Sequence, residues 1–332
     1  MKKIATKNRM HSATSLSAVL VFVALICLTL PSANAQVVNS TLNPNQIAIL
    51  HWYSANQSAQ FTPGGYPGAL AFDGASMWVV TLSFGVGSVT KMRASDGTIL
   101  GTFPTGNGSF AAAFDGANMW VTNTSDNTVI KLRASDGTAL GTFAVGAGPA
   151  GVAFDGANIW VANSIGNTVT KLQASTGTVL GTFGVGNGPF GVAFDGANIW
   201  VTNELDSTVT KLLASNGTVV GTYSAGFGPF GLAFDGANMW IADQSNGTVT
   251  KVQASTGTTL GTFHVGRIPQ SVTFDGTDIW VANSGSNTVT KLKASTGNLL
   301  GDFAVGSNPT GVAFDGTSIW VANTYSQTVS KM

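Results

Sequence analysis

The chain has 332 residues with 15 basic and 15 acidic side chains, only 9% charged residues, and 42 glycines. So few charges, with no Lys/Arg cluster after residue 35, exclude a nucleic-acid binder, which needs a basic footprint against phosphates. Three histidines and one cysteine exclude a His- or Cys-rich metal centre, and the glycine content with no long helical pattern reads as an all-β chain rich in tight turns.

At the N-terminus, Lys2, Lys3, Lys7 and Arg9 precede an apolar run from Leu16 to Leu30, and Ala33-Asn34-Ala35 supplies a small-x-small pattern. Residues 1–35 are therefore expected to be a signal peptide cleaved after Ala35, leaving no stable membrane span. Cleavage removes Cys27 and four cations, so the remaining chain has 11 basic and 15 acidic residues, a net charge near −4 and no disulfide. A secreted, periplasmic or cell-surface location follows as the expectation. Residues 36–58 read as a leader, polar at first and apolar over Ile47–Trp52.

From residue 59 to 332 one pattern repeats seven times. Phe-Asp-Gly recurs at Phe72, Phe114, Phe154, Phe194, Phe234, Phe274 and Phe314, each followed by a tryptophan, and from Trp120 to Trp320 the spacing is 40 residues. That period marks a propeller or solenoid. Each repeat parses into four strands; in the fourth they are Gly191–Phe194, Ile199–Thr202, Thr208–Leu212 and Val219–Tyr223, designated a to d. Asp195-Gly196 and Asn216-Gly217 supply the positive-φ turns, and Gly186 marks a crowded or left-handed d-to-a crossover. The pattern predicts a seven-bladed β-propeller with four antiparallel strands per blade. The last repeat lacks strand d, and Gln60–Gly64 aligns without a gap onto Asp302–Gly306, so an N-terminal strand is expected to complete the last blade and close the ring. Blade 1 carries two extra residues in the b–c loop, Ser83 to Gly87.

The blades serve as their own comparison, because a feature in all seven answers to packing or turn geometry. The seven aspartates of Phe-Asp-Gly and the seven lysines that follow the tryptophans, Lys211 among them, are expected to meet within each blade, with Lys211 opposite Ile199. The tryptophans read as inter-blade packing, and Asn203 and its counterparts, replaced by Asp243 in blade 5, as caps on the b–c turn. The face carrying the b–c and d–a loops holds nearly all the variation: Asp126, Glu204, Asp206, Asp243, Tyr325, and His264 and Arg267, which the alignment assigns to blade 6. Phe110, Phe190 and Phe230 occupy one strand-a position where other blades have Gly68, Ala150, Gln270 and Thr310. Near an axial channel they form either a hydrophobic plug or a ligand platform. Candidate ligand-binding residues are therefore Phe110, Phe190, Phe230, Glu204, Asp206, His264 and Arg267. No catalytic residue, metal ligand or cofactor site is assigned.

Trp-Val-Thr-Asn at Trp120 and Trp200 and Trp-Val-Ala-Asn at Trp160, Trp280 and Trp320, with Asn-Thr-Val-Thr-Lys after several of them, resemble the YVTN-type β-propeller repeat, Trp replacing the leading Tyr. The broader NHL-like group of bacterial propellers is similar. This resemblance spans roughly residues 59–332 and implies a secreted, periplasmic or surface protein with a binding or scaffold role. The chain also resembles the seven-bladed streptogramin lyase family, whose ring-opening elimination is understood to use histidine and a divalent cation. Within the blades, however, His264 is the only histidine.

Two functional expectations follow. The first is a monomeric, non-catalytic module that binds an unknown protein or small-molecule ligand through its variable face. The second is a metal-assisted lyase or hydrolase, which would have to recruit Glu204, Asp206, His264 and Arg267. A purely structural envelope component would also suit near-identical blades.

Overall fold

The computed structural model describes residues 59–82 and 85–332. The expected signal peptide, the leader with Ile47–Trp52, and Ser83 and Phe84 of the blade 1 insertion lie outside the described residues. Seven four-stranded antiparallel sheets form seven propeller blades. Blade 4 shows the pattern: strands a (Pro189–Phe194), b (Asn198–Asn203), c (Thr208–Leu213) and d (Val219–Ser224) pair in sequence order. Among the described residues no helix is long and apolar enough to cross a membrane.

One carboxylate explains why Phe-Asp-Gly and tryptophan travel together. Asp195 Oδ1 accepts the backbone N–H of Ala197 at 2.9 Å and of Asn198 at 2.6 Å, which builds the a–b turn, and Gly196 takes φ +97° there. Asp195 Oδ2 accepts the Trp200 indole N–H at 2.8 Å. The same aspartate–indole bond recurs in all seven blades at 2.7–2.8 Å. Burial pushes the Asp195 carboxyl up, but the Trp200 indole and the amides of Ala197 and Asn198 outweigh it and hold the group below the usual carboxylate range.

The core consists of seven clusters, one between each pair of neighbouring blades. Between blades 3 and 4, Trp160, Ala162 and Val169 meet Ile199, Val201 and Leu212; between blades 7 and 1, Trp320 and Val329 meet Met77, Val79 and Met92. Six of the seven tryptophans are fully buried. An indole of that size contributes on the order of 5 kcal/mol of gross burial free energy. Each blade therefore depends on its neighbours.

The lysines behave differently from expectation. Lys211 lies opposite Trp200, not Ile199, which places Nζ over the Trp200 ring, 5.1 Å from its centroid. From there Lys211 Nζ donates to the backbone carbonyl of Ala254 in the next blade at 2.6 Å. Six lysines make this inter-blade bond. The expected intrablade Asp–Lys contact exists only at Lys91–Asp73 (3.5 Å) and Lys331–Asp315 (3.8 Å). In blades 2 to 5 the aspartate is committed to indole and turn and the lysine reaches outward to a carbonyl, while Lys291 of blade 6 pairs with Asp278.

Ring closure follows the sequence expectation. Ala59–Phe61 pairs with strand c of blade 7 (Thr328–Lys331), with Gln60 opposite Ser330 and Phe61 opposite Val329, as Asp302 and Phe303 stand opposite Thr290 and Val289 in blade 6. Phe61 stacks on Trp320 at 5.6 Å. It also covers Gly97 of blade 1, where an added Cβ would lie 2.1 Å from the ring. One N-terminal strand thus joins blade 7 to blade 1 and covers an otherwise unpaired edge.

The Asn203 side chain spans its own b–c loop and also ties strand c to the d–a crossover. Its Oδ1 accepts the N–H of Gly186 in the d–a crossover at 3.1 Å, and its Nδ2 donates to the hydroxyls of Thr208 and Thr210 at 3.0 and 2.9 Å. Gly186 is required by crowding: an added Cβ would lie 2.6 Å from Asn203 Cγ. Part of the blade 1 insertion is built as extra sheet, with strand c starting at Val86, opposite Asn107 of strand d.

Candidate functional site

In blades 3, 4, 5 and 7 the residue after the variable strand-a position is a glycine, Gly151, Gly191, Gly231 and Gly311, and there strand a comes close to that of the next blade. A Cβ on Gly191 would lie 2.3 Å from the Phe230 carbonyl oxygen, and one on Gly151 would lie 2.2 Å from that of Phe190. Thr202 Oγ1 reinforces this contact by donating to the Phe230 carbonyl at 2.7 Å. Such closeness brings the three variable phenylalanines together. Phe190 stacks on Phe230 with centroids 3.6 Å apart, and Phe110 meets Phe190 edge-on at 5.1 Å. Phe110 and Phe190 belong to blades 2 and 4. They touch because blade 3 contributes only Ala150, which is buried.

The rest of the ring at this level is small or polar. Leu82 covers Gly68 in blade 1, Gln270 Nε2 donates to Ser284 Oγ at 3.1 Å, and Thr310 and Thr324 share a hydrogen bond of 2.7 Å. The mouth therefore has an aromatic side over blades 2 to 5 and a hydrogen-bonded polar side over blades 6 and 7.

Glu204 and Asp206 share one turn, a 3₁₀ helix of three residues, but they differ in environment. Asp206 is exposed, and its two oxygens accept the backbone N–H (2.6 Å) and the side-chain amide (2.9 Å) of Asn187. The Asn187 amide holds this carboxyl below the usual range. Asp126 caps Asn107 in the same way in blade 2, so this acid secures the d–a crossover. Glu204 is half-buried; its backbone N–H donates to the Gly188 carbonyl at 2.9 Å, its carboxylate has no hydrogen bond or ion pair to another described residue, and burial pushes that carboxyl up.

His264 lies in strand d of blade 5 (Thr259–His264), not in blade 6, opposite Thr248 and exposed on the outermost strand. Arg267 is exposed in the crossover from blade 5 to blade 6, its backbone N–H donating to Ser286 Oγ at 2.6 Å. No hydrogen bond or ion pair joins any two of Glu204, Asp206, His264 and Arg267. A groove of about 500 Å³ runs between blades 4 and 5, lined chiefly by threonine and serine with Asp206 and Phe227. Glu204, His264 and Arg267 are not part of it. No group of three or more His, Cys, Asp or Glu that could hold a metal occurs among the described residues.

Three side chains of this face escaped the sequence reading. Ile165, Leu205 and Phe227 are 74%, 75% and 65% exposed, and they stand in the b–c loops of blades 3 and 4 and the blade 4–5 crossover. The signal was available in the blade comparison, since Ser125, Ser245 and Gly285 occupy the position of Ile165 and Leu205 in other blades. Asp243 takes the place of Asn203 in blade 5 and is fully buried. It accepts Gly226 N–H at 3.0 Å and the hydroxyls of Thr248 and Thr250 at 3.0 and 2.7 Å.

No protein-family model and no curated protein matches this chain. Among solved structures it is similar to Kuenenia stuttgartiensis hydrazine synthase, at 19% identity and a TM-score of 0.72 over 82% of this chain and 96% of that one. It is also similar to a streptogramin B lyase, at 18% identity and a TM-score of 0.70 over 82% of this chain and 96% of that one. At these identities the likeness is one of fold, and sites grafted on a fold are not carried by it.

Proposed function

We propose that this chain is an exported, non-catalytic binding module whose axial mouth, on the face of the b–c and d–a loops, receives an apolar group of a ligand or partner protein. The observation that carries this reading is the Phe110–Phe190–Phe230 cluster: three half-buried rings from blades 2, 4 and 5 meet, on the face whose loops also carry the exposed Ile165, Leu205 and Phe227. Exposed apolar patches of this kind on a folded chain mark interaction surfaces. Export rests on the basic, apolar and small-residue pattern of residues 1–35.

The competing lyase or hydrolase reading needs a convergent acid and base. Asp206 has both oxygens engaged by Asn187, and His264 lies on the outermost strand of its blade, both of which favour the binding reading.

Two measurements test the proposal. N-terminal sequencing of the protein recovered outside the cytoplasm should begin at Gln36; recovery only as an unprocessed cytoplasmic chain would remove the exported part. Titration with benzyl alcohol and with leucine-rich peptides, followed by thermal shift, should stabilise the protein, by about 2.7 kcal/mol at a hundred times the dissociation constant. Phe190→Ala should abolish the shift. An equal shift in the variant would place binding elsewhere.

A further inference from the structure

Among the described residues Glu204 is the one carboxylate of the loop face whose oxygens have no partner, since Asp126, Asp206 and Asp243 are all hydrogen-bonded. Its surroundings follow from the same position in other blades. Leu82 packs on Gly68, Ser284 bonds Gln270 and Thr324 bonds Thr310, each to the variable strand-a residue of its own blade. Thr124 and Thr324 donate to the carbonyls of Pro149 and Pro67, the proline that opens or begins strand a of the following blade. In blade 4 those two neighbours are Phe190 and Pro229, the residue before Phe230. Glu204 holds the equivalent position in blade 4, its backbone N–H bonded to the carbonyl of Gly188, two residues before Phe190. Where the hydroxyls at this position are bonded to backbone or to the neighbouring side chain, the half-buried Glu204 carboxylate has no hydrogen bond or ion pair to another described residue.

The charge of the whole face has the same sign. Of the eleven lysines and arginines after residue 35, seven are the lysines that reach to the c–d turns or to Asp278, and Arg93, Arg133 and Lys293 adjoin those turns at the opposite end of the blades. Arg267 alone lies on the mouth face, with His264 at its edge. Against it stand Asp126, Glu204 and Asp206, with Asp243 beneath. A negative face with an unpaired carboxylate and aromatic rings attracts cations, and ring faces add to that attraction.

We infer that the partner is a polypeptide segment presenting a lysine or arginine flanked by apolar residues, its cationic group held by Glu204 and its stem laid on Phe190 and Phe230. The inference rests on the binding reading above and supplies the partner's chemistry. A polypeptide fits better than a small amine because a small amine covers only the Phe190–Phe230 pair. Ile165, Leu205 and Phe227, each about two-thirds or more exposed, offer further apolar surface on the loops of the same face. Long basic side chains suit such a place, with an apolar stem and a charged tip.

The experiment is calorimetric titration of the full protein with capped leucine–glycine peptides carrying a central lysine, arginine, norleucine or glutamate, and with n-butylammonium alone. Wild-type protein should bind the lysine and arginine peptides at least tenfold more tightly than norleucine, and the glutamate peptide least. Glu204→Gln should reduce the lysine-to-norleucine ratio to about one while leaving norleucine binding unchanged; Phe190→Ala should weaken both together. Equal binding of lysine and norleucine peptides, indifferent to Glu204→Gln, would overturn the inference and leave the apolar mouth standing. Butylammonium bound as tightly as the lysine peptide would overturn the polypeptide assignment. Failure of every peptide would remove the inference together with the binding reading. Glu204→Gln keeps the shape of the side chain, and a circular dichroism melt matching wild type excludes a folding effect.

Discussion

Lys291 Nζ lies 3.0 Å from Asp278 Oδ2, in the one blade whose lysine has no alanine carbonyl to reach. Strand d of blade 7 comes from Ala59–Phe61, so no c–d turn joins strands c and d of that blade, and the acceptor used by the other six lysines does not exist there. Blades 2 to 5 have Asn118, Asn158, Asn198 and Asn238 at the position of Asp278. A single exchange of amide for carboxylate replaces the missing acceptor, and Lys293 lies 3.6 Å from the second oxygen.

Asp278→Asn should therefore destabilise the protein by about 1–2 kcal/mol, since it strands a partly buried ammonium. The corresponding reverse change in blade 5, Asn238→Asp, has no unpaired lysine to serve and should not stabilise. Urea unfolding of both variants checks this, and adding Lys291→Met to Asp278→Asn should recover part of the loss.

Closure of the ring depends on Phe61, which stacks on Trp320 and covers Gly97. Phe61→Ala should cost about 3 kcal/mol, the usual scale for removing a packed aromatic ring. Gly97→Ala should cost a comparable amount, because a methyl at φ +74° collides with the same ring. Because both act on one contact, the double variant should fall short of additivity, as measured by denaturant midpoints.

Asp243 gives a pH signature. Burial pushes its carboxyl up to about 6, against which Thr250, Thr248 and Gly226 act only in part. The native state therefore binds a proton that the unfolded chain has already lost between about pH 4 and 6. Its contribution to stability is fully present below about pH 4 and is lost as pH rises through 6. Asp243→Asn restores the residue of the other blades, with an amide able to donate to the same two threonines. The variant should be more stable than wild type by about 2–3 kcal/mol at pH 7, with the difference vanishing near pH 4. Melting curves of both proteins across that range decide it, the difference cancelling the contributions of other carboxylates.

The mouth is built on backbone contact, so Gly191→Ala should disturb it without touching a phenylalanine. The new methyl meets the Phe230 carbonyl and separates strands a of blades 4 and 5. A cost of about 1–3 kcal/mol is expected from overpacking, together with weaker binding of any ligand that Phe190→Ala abolishes. Intact affinity in a destabilised Gly191→Ala protein would dissociate the stacked pair from the site.

Blade number, strand order and ring closure could all be read from residue order, with strand ends off by one or two residues, since a 40-residue period and the alignment of Gln60–Gly64 on Asp302–Gly306 are local patterns repeated in register. The positive-φ turns at Gly196 and Gly217 belong to the same class, because a turn is specified by the residues that form it. The targets of long side chains are not. Lys211 opposes Trp200 rather than Ile199, and that one-residue difference, with the neighbouring blade's carbonyl within reach, exchanged an expected intrablade ion pair for an inter-blade hydrogen bond. His264 moved to blade 5 for a similar reason: the end of strand d and the start of the next blade are continuous in sequence and separate only when the sheet forms. The meeting of Phe110 with Phe190 depends on Ala150 being small and Gly151 being bare, a relation among three blades that no spacing encodes. Pattern within a blade is short-range and survives in one dimension, whereas contact across the axis exists only once seven blades have closed.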